Sequence, residues 1–123
     1  MFKNIVLIGI GGATGSILRY GMTLLFASLH LSGNTATFIT NLAGSFCMGL
    51  LVSTCEQSPW LMMATIGLCG GFTTFSTFSM QSLTFLQEGK YGAALMYILG
   101  TVILGIALAA AGWYLGHLVI RKI

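Results

Sequence analysis

Charge is what this sequence has least of. Of its 123 residues, five are Lys or Arg and two are Glu, and there is no Asp. A soluble domain carries about a quarter charged residues, so the 6% found here cannot supply a wetted surface. Proline occurs once, as Pro59. The three cysteines, Cys47, Cys55 and Cys69, form no CxxC pair, which argues for small apolar fillers over a disulfide or zinc framework. His30 and His117 have no carboxylate or thiol at ligand spacing, so neither reads as a metal ligand.

The same scarcity removes whole classes of function. Lys3, Arg19, Lys90, Arg121 and Lys122 are dispersed and too few to neutralise a nucleic-acid backbone, so no nucleic-acid partner is expected. General acid–base chemistry needs paired titratable groups, and Glu56 and Glu88 both fall in breaks between apolar runs. No GxSxG, HExxH or P-loop is present, and an enzyme is not expected. The first apolar run follows Lys3 as a signal peptide would. It nevertheless runs past position 15, contains Arg19 and offers no cleavage site, so it is expected to be retained.

What is present is apolar length. Four apolar stretches, at about 4–28, 36–54, 60–86 and 91–120, are separated by short polar breaks. A bilayer crossing needs about 20 residues, and in hydrocarbon the backbone must satisfy itself. No strand-length alternation suggests a barrel. The expectation is an all-α integral membrane protein, a single domain over 1–123 with four transmembrane helices. Pro59 suits a helix start, and Gly89 with Lys90 suits a tight turn.

Four crossings put both termini on one side. That side holds Lys3, Arg121 and Lys122, with Glu56 in the returning loop; the other holds Lys90 and Arg19. A Lys/Arg difference of one is a weak orienting signal. Such a chain can insert both ways, and two copies would then pair antiparallel about an axis in the membrane plane. A single orientation with weak signals is the alternative.

Glycine is abundant, with 17 copies. Gly11 and Gly15, Gly67 and Gly71, and Gly112 and Gly116 make GxxxG spacings, extended by Ser45 with Gly49 and Gly105 with Ala109. Such faces let helices approach closely in lipid, and packing is the expected role of most of them.

The third span is different. Seven of the ten residues from Thr73 to Ser82 carry a hydroxyl or amide, beginning near the middle of the 60–86 run. Polar groups at that depth must face protein or water. Gly70 and Gly71 weaken a helix, and Thr73 and Thr74 can bond freed backbone groups. The expectation is a helix that breaks at mid-membrane around Gly70 and Gly71. Unwound carbonyls there suit a cation, and a new helix N-terminus suits an anion.

Phe75 and Phe78 share a side of the following half-helix. Ring edges turned to a polar lane favour an anion, ring faces a cation, and core packing is the plain alternative. Asn41 shares a face with Thr37 and Ser45 and serves either as a pore donor or as glue between helices. Arg19 lies about 22 Å along the first helix from Asn4. From there it either snorkels to the far interface or charges the vestibule of an anion path.

With these residues in view, GGATGSILRY (11–20), NLAGSFCMG (41–49) and GLCGGFTTFSTFS (67–79) resemble the signatures of the Fluc/CrcB fluoride channels. The resemblance covers essentially the whole chain. It implies a constitutively open, passive, fluoride-selective channel of the bacterial cytoplasmic (inner) membrane, built as a dual-topology antiparallel homodimer with two pores. Such a channel exports cytoplasmic fluoride and so relieves its toxicity.

Carried onto this sequence, it implies a structural Na⁺ held on the two-fold axis by the backbone carbonyls of Gly70 and Thr73. It also implies fluoride pores lined by Phe75, Phe78 and Asn41, with a polar lane of Ser76, Thr77, Ser79 and Gln81 and a vestibule charged by Arg19. Tyr97 and Thr101 are further candidates because they are polar and share a helical face. Where many members carry Glu, this chain has Gln81. A proton-coupled small multidrug exporter, also a four-span dimer, would need an embedded carboxylate that this sequence lacks, and a membrane scaffold would leave the polar lane unexplained.

Overall fold

Lipid offers the backbone no hydrogen-bond partners, and the chain meets that constraint with helix almost throughout. In a computed structural model, which describes residues 1–54 and 58–121, α1 spans Phe2–Ser28 and α2 spans Gly33–Thr54. The third crossing is composite. Its first arm consists of α3 (Pro59–Met62), a π-helical stretch (Met63–Cys69) and α4 (Gly70–Phe72). Two extended residues follow, then the second arm, α5 (Phe75–Gln87). The chain ends in α6, Tyr91–Ile120. No strand occurs among the described residues. Among the described residues, four helical units are long and apolar enough to cross a membrane, so the protein is a multi-pass membrane protein. Cys55, Glu56 and Lys122 lie outside the described residues.

The ends of the spans follow from local chemistry. Ser58 caps α3 by accepting the Leu61 N–H at 3.1 Å, and Pro59 occupies the first turn, where its missing N–H has no intrahelical partner to lose. Between α5 and α6, Gly89 adopts φ +72, a left-handed conformation that a side chain disfavours, and the chain reverses there. The Glu88–Lys90 ion pair at 2.7 Å is exposed and contributes little.

The bundle is two glycine-joined pairs. A Cβ on Gly11 would collide with the Met63 carbonyl, and one on Gly15 with the Leu68 carbonyl, so α1 lies directly on the first arm of the third span. Gly71 answers from the other side: a Cβ there would sit 2.5 Å from the Gly12 carbonyl oxygen. In the second pair, Gly49 of α2 faces the Ala109 carbonyl, while Gly112 and Gly116 of α6 face the Phe46 carbonyl and the Ser53 hydroxyl. Close backbone approach of this kind is how apolar helices associate in lipid.

The break is present, but it is not at the glycines. Gly70 is helical (φ −64, ψ −37), and the unwound residues are Thr73 (φ −80, ψ 159) and Thr74 (φ −150, ψ 113). Gly71 serves the contact with Gly12 instead. The threonines can open the helix because their hydroxyls rebuild bonds that the opening removes. The π-helical stretch just before the break was not anticipated from the sequence. Its Thr65 is buried and bonds back to the Leu61 carbonyl at 2.7 Å.

Candidate functional site

Opening a helix strands carbonyls on one side of the gap and N–H groups on the other. Each stranded group here can be followed. On the first arm, the Cys69 carbonyl accepts both the Thr73 N–H at 3.0 Å and the Thr73 hydroxyl at 2.9 Å. The Gly71 carbonyl accepts Nε of Arg19, reaching from α1, at 3.1 Å. A cation at the carbonyl end of a helix also complements its dipole.

In the gap, Asn41 of α2 pairs with both peptide groups of Thr74: Oδ1 accepts the Thr74 N–H at 2.7 Å and Nδ2 donates to the Thr74 carbonyl at 3.1 Å. On the second arm, the Thr74 hydroxyl caps α5 by accepting the Thr77 N–H at 3.2 Å and donates to the Thr77 hydroxyl at 3.0 Å.

Some groups stay without a partner among the described residues: the carbonyls of Gly70, Phe72 and Thr73 and the N–H groups of Phe75 and Ser76. In a continuous helix the Gly70 carbonyl would take the Thr74 N–H, which Asn41 holds instead. Hard carbonyl oxygens freed from a helix are suitable ligands for an alkali cation, so the Gly70 and Thr73 pair fits that donor chemistry.

Beside the gap lies a cavity of about 230 Å³ whose walls include Asn41, Ser45, Thr73, Phe75, Phe78 and Thr101. The two phenylalanines differ sharply. Phe78 is 8% exposed and Phe75 is 80% exposed, so the Phe75 ring projects from the surface of the bundle. Their centroids are 5.7 Å apart, and Phe78 continues to Tyr97 at 5.4 Å. Tyr97 in turn contacts Phe85 edge-on at 5.7 Å and Phe38 at 6.5 Å. Beyond Tyr97 is a second cavity of about 340 Å³, lined by Ser32, Asn34, Thr35 and the rings of Phe38, Phe85 and Tyr97. Tyr97 thus lines the second cavity and touches Phe78, which lines the first. Its hydroxyl donates to the Gln81 side-chain Oε1 at 2.7 Å, and the Gln81 NH₂ lies close to Gly33 at the start of α2.

Arg19 turns inward from α1. Helix α1 continues nine residues beyond it, so its side chain meets the third span at the break and not at a helix end. It borders a small cavity of about 50 Å³ whose other walls are Thr23, Thr37, Thr40, Thr74 and Thr77, with no apolar residue among them.

The four residues of the expected lane separate. Thr77 faces the Arg19 cavity, Ser76 bonds the Thr74 hydroxyl at 3.3 Å, Ser79 bonds the Phe75 carbonyl at 2.9 Å, and Gln81 joins Tyr97. Thr101 lines the phenylalanine cavity and bonds the Tyr97 carbonyl at 2.6 Å.

Three features escaped the sequence reading: Thr74 as the centre of the gap, the threonine wall around Arg19, and the Phe38 and Phe85 contacts to Tyr97. The i, i+4 spacing of Arg19 with Thr23 was the available signal for the second. The others depend on contacts between distant segments.

A sequence profile described as CrcB-like protein, Camphor Resistance (CrcB), matches residues 6–113. The chain belongs to the CrcB family. Among curated CrcB relatives, a protein of Azobacteroides pseudotrichonymphae named "Fluoride-specific ion channel FluC" is 40% identical over 121 residues, covering 94% of this chain and 97% of that one. One of the same name from Phocaeicola vulgatus is 43% identical over 112 residues, covering 85% and 90%. The Thermus thermophilus protein, again of that name, is 40% identical over 120 residues, covering 93% and 95%. The CrcB match takes in every residue at the break, Arg19, the aromatic row, and α6 as far as Trp113.

Proposed function

We propose that this chain is a fluoride-selective passive ion channel that exports cytoplasmic fluoride across the bacterial cytoplasmic membrane and so relieves fluoride toxicity. The observation that carries the reading is the wall beside the break. At mid-span it combines phenylalanine rings, hydroxyls and an amide, and no carboxylate lines it. A small anion leaving water needs replacement donors and positive ring edges, and a fixed negative charge would repel it. The names of the relatives supply the identity of the ion.

In this reading Phe75, Phe78 and Asn41 line the fluoride path. Ser76, Thr77, Ser79 and Gln81 offer polar groups along α5, and Tyr97 and Thr101 offer them from α6. Arg19 supplies positive potential at the approach. Gln81 keeps an N–H donor where a carboxylate would carry charge.

The working unit is an antiparallel homodimer with two pores. Phe75 is exposed beside the unpaired carbonyls of Phe72 and Thr73, and this supports that assembly, because lipid would leave those polar groups unsatisfied while a second copy would cover them. The carbonyls of Gly70 and Thr73 from both subunits would hold one Na⁺ on the two-fold axis, where it contributes positive charge and ties the broken helices together.

Purified protein in liposomes loaded with fluoride tests the function. With valinomycin clamping the potential, an external electrode should record rapid fluoride efflux and little chloride efflux. Equal efflux of both ions, or none, rejects the reading.

A further inference from the structure

Asn41 lines the cavity, yet its amide oxygen and one of its two Nδ2–H donors are already committed. Oδ1 and Nδ2 close a two-bond ring with the N–H and carbonyl of Thr74, at 2.7 and 3.1 Å, across 33 residues of sequence. Thr74 is extended, so this is the pairing that a neighbouring strand would make, supplied by one side chain. The Thr74 N–H has two competing acceptors. One is Asn41; the other is the Gly70 carbonyl four residues earlier, which would claim it in a continuous α-helix.

We infer that Asn41 is a positioning residue: by taking the Thr74 N–H it keeps the helix open and leaves the Gly70 carbonyl free. Its influence on conduction then passes through the backbone of the break and not through contact with the ion. This rests on the channel reading for its functional consequence, but the backbone arrangement itself can be tested separately. Removing the side chain leaves two half-buried peptide groups unpaired, and the nearest remedy is local: Thr74 returns its N–H to Gly70 and the gap closes. The hydroxyl of Thr74 already caps α5 and is not available as a substitute.

Isotope-edited infrared spectroscopy on the full chain in bilayers, in sodium-free choline buffer, reads both ends of this competition. Carbonyl labels (¹³C=¹⁸O) are placed singly at Gly70 and at Thr74. In the unaltered protein the Thr74 band should lie at lower frequency than the Gly70 band, because only Thr74 receives the Asn41 donor. The reverse order overturns the inference without any substitution.

In Asn41→Ala the Gly70 band should move to lower frequency as its carbonyl gains the Thr74 N–H. Asn41→Asp keeps an acceptor for the Thr74 N–H, so Gly70 should stay near its original frequency while Thr74 rises. Fluoride flux in Asn41→Ala should fall roughly tenfold or more, the scale of two lost hydrogen bonds. If flux collapses while both bands stay in place, Asn41 acts directly on the ion and the inference fails. If the unaltered protein passes no fluoride, the channel reading fails, and the band positions still decide the role of Asn41.

Discussion

Arg19 and Gly71, 52 residues apart, are joined by a 3.1 Å hydrogen bond from the guanidinium Nε to the backbone carbonyl. The bond ties α1 to the last turn of the first arm, next to the gap. A charged side chain held half-buried in the middle of an apolar helix needs such a partner. The same contact gives the stranded carbonyl a donor. Arg19 thus fastens the break from one side while Asn41 fastens it from the other.

Replacing Arg19 by Gln should lower stability by about 1–2 kcal/mol, the scale of a charged helix-end interaction in a partly buried setting. Arg19→Lys keeps the charge but not the guanidinium fork and should lose less. Thermal unfolding in detergent is the measurement. Equal stability for all three proteins would remove Arg19 from the support of the break.

Phe75 and Phe78 should separate conduction from packing. Phe75→Ile changes a ring that is 80% exposed, so the chain should fold normally while fluoride efflux drops by about tenfold or more. Phe78→Ile removes a buried ring that also contacts Tyr97, so it should lose flux and about 1 kcal/mol of stability together. Unchanged efflux in Phe75→Ile would return that ring to simple surface.

The glycine contacts make a sharper structural prediction. Gly15→Ala drives a methyl into the Leu68 carbonyl and should destabilise the α1 pairing by about 1–3 kcal/mol. Gly9, on the same helix, has open space where a Cβ would go, and Gly9→Ala should be neutral or slightly stabilising through helix propensity. Comparing their thermal midpoints in detergent controls for the substitution itself. The contact fails as an account of Gly15 if the two variants behave alike.

Much of the architecture can be read directly from the chain. Charge scarcity and four apolar runs place it in a membrane as a bundle of helices. Pro59 and Gly89 mark two of the turns, and the three GxxxG pairs meet neighbouring helix backbones or a Ser53 hydroxyl as their spacing suggests. The position of the break was less legible. Gly70 and Gly71 were the weakest helix formers in the region, yet they remain helical, and Thr73 and Thr74 unwind. Propensity ranks a residue by its own backbone, while the opening was decided by what could receive the freed groups. Likewise, Ser76, Thr77, Ser79 and Gln81 look like one polar lane by composition, but at 100° per residue they turn toward different neighbours.

By itself, then, the sequence determined the solvent of this protein and its helix count. Both follow from composition and length, because in hydrocarbon every long segment must close its own hydrogen bonds. Tertiary structure alone decided where that rule is broken. A helix can open in the membrane only where other segments supply the missing partners. Here those are the Asn41 carboxamide and the Arg19 guanidinium, which arrive from 33 and 52 residues away. Which carbonyls remain free depends on those two arrivals, and a one-dimensional pattern does not contain them.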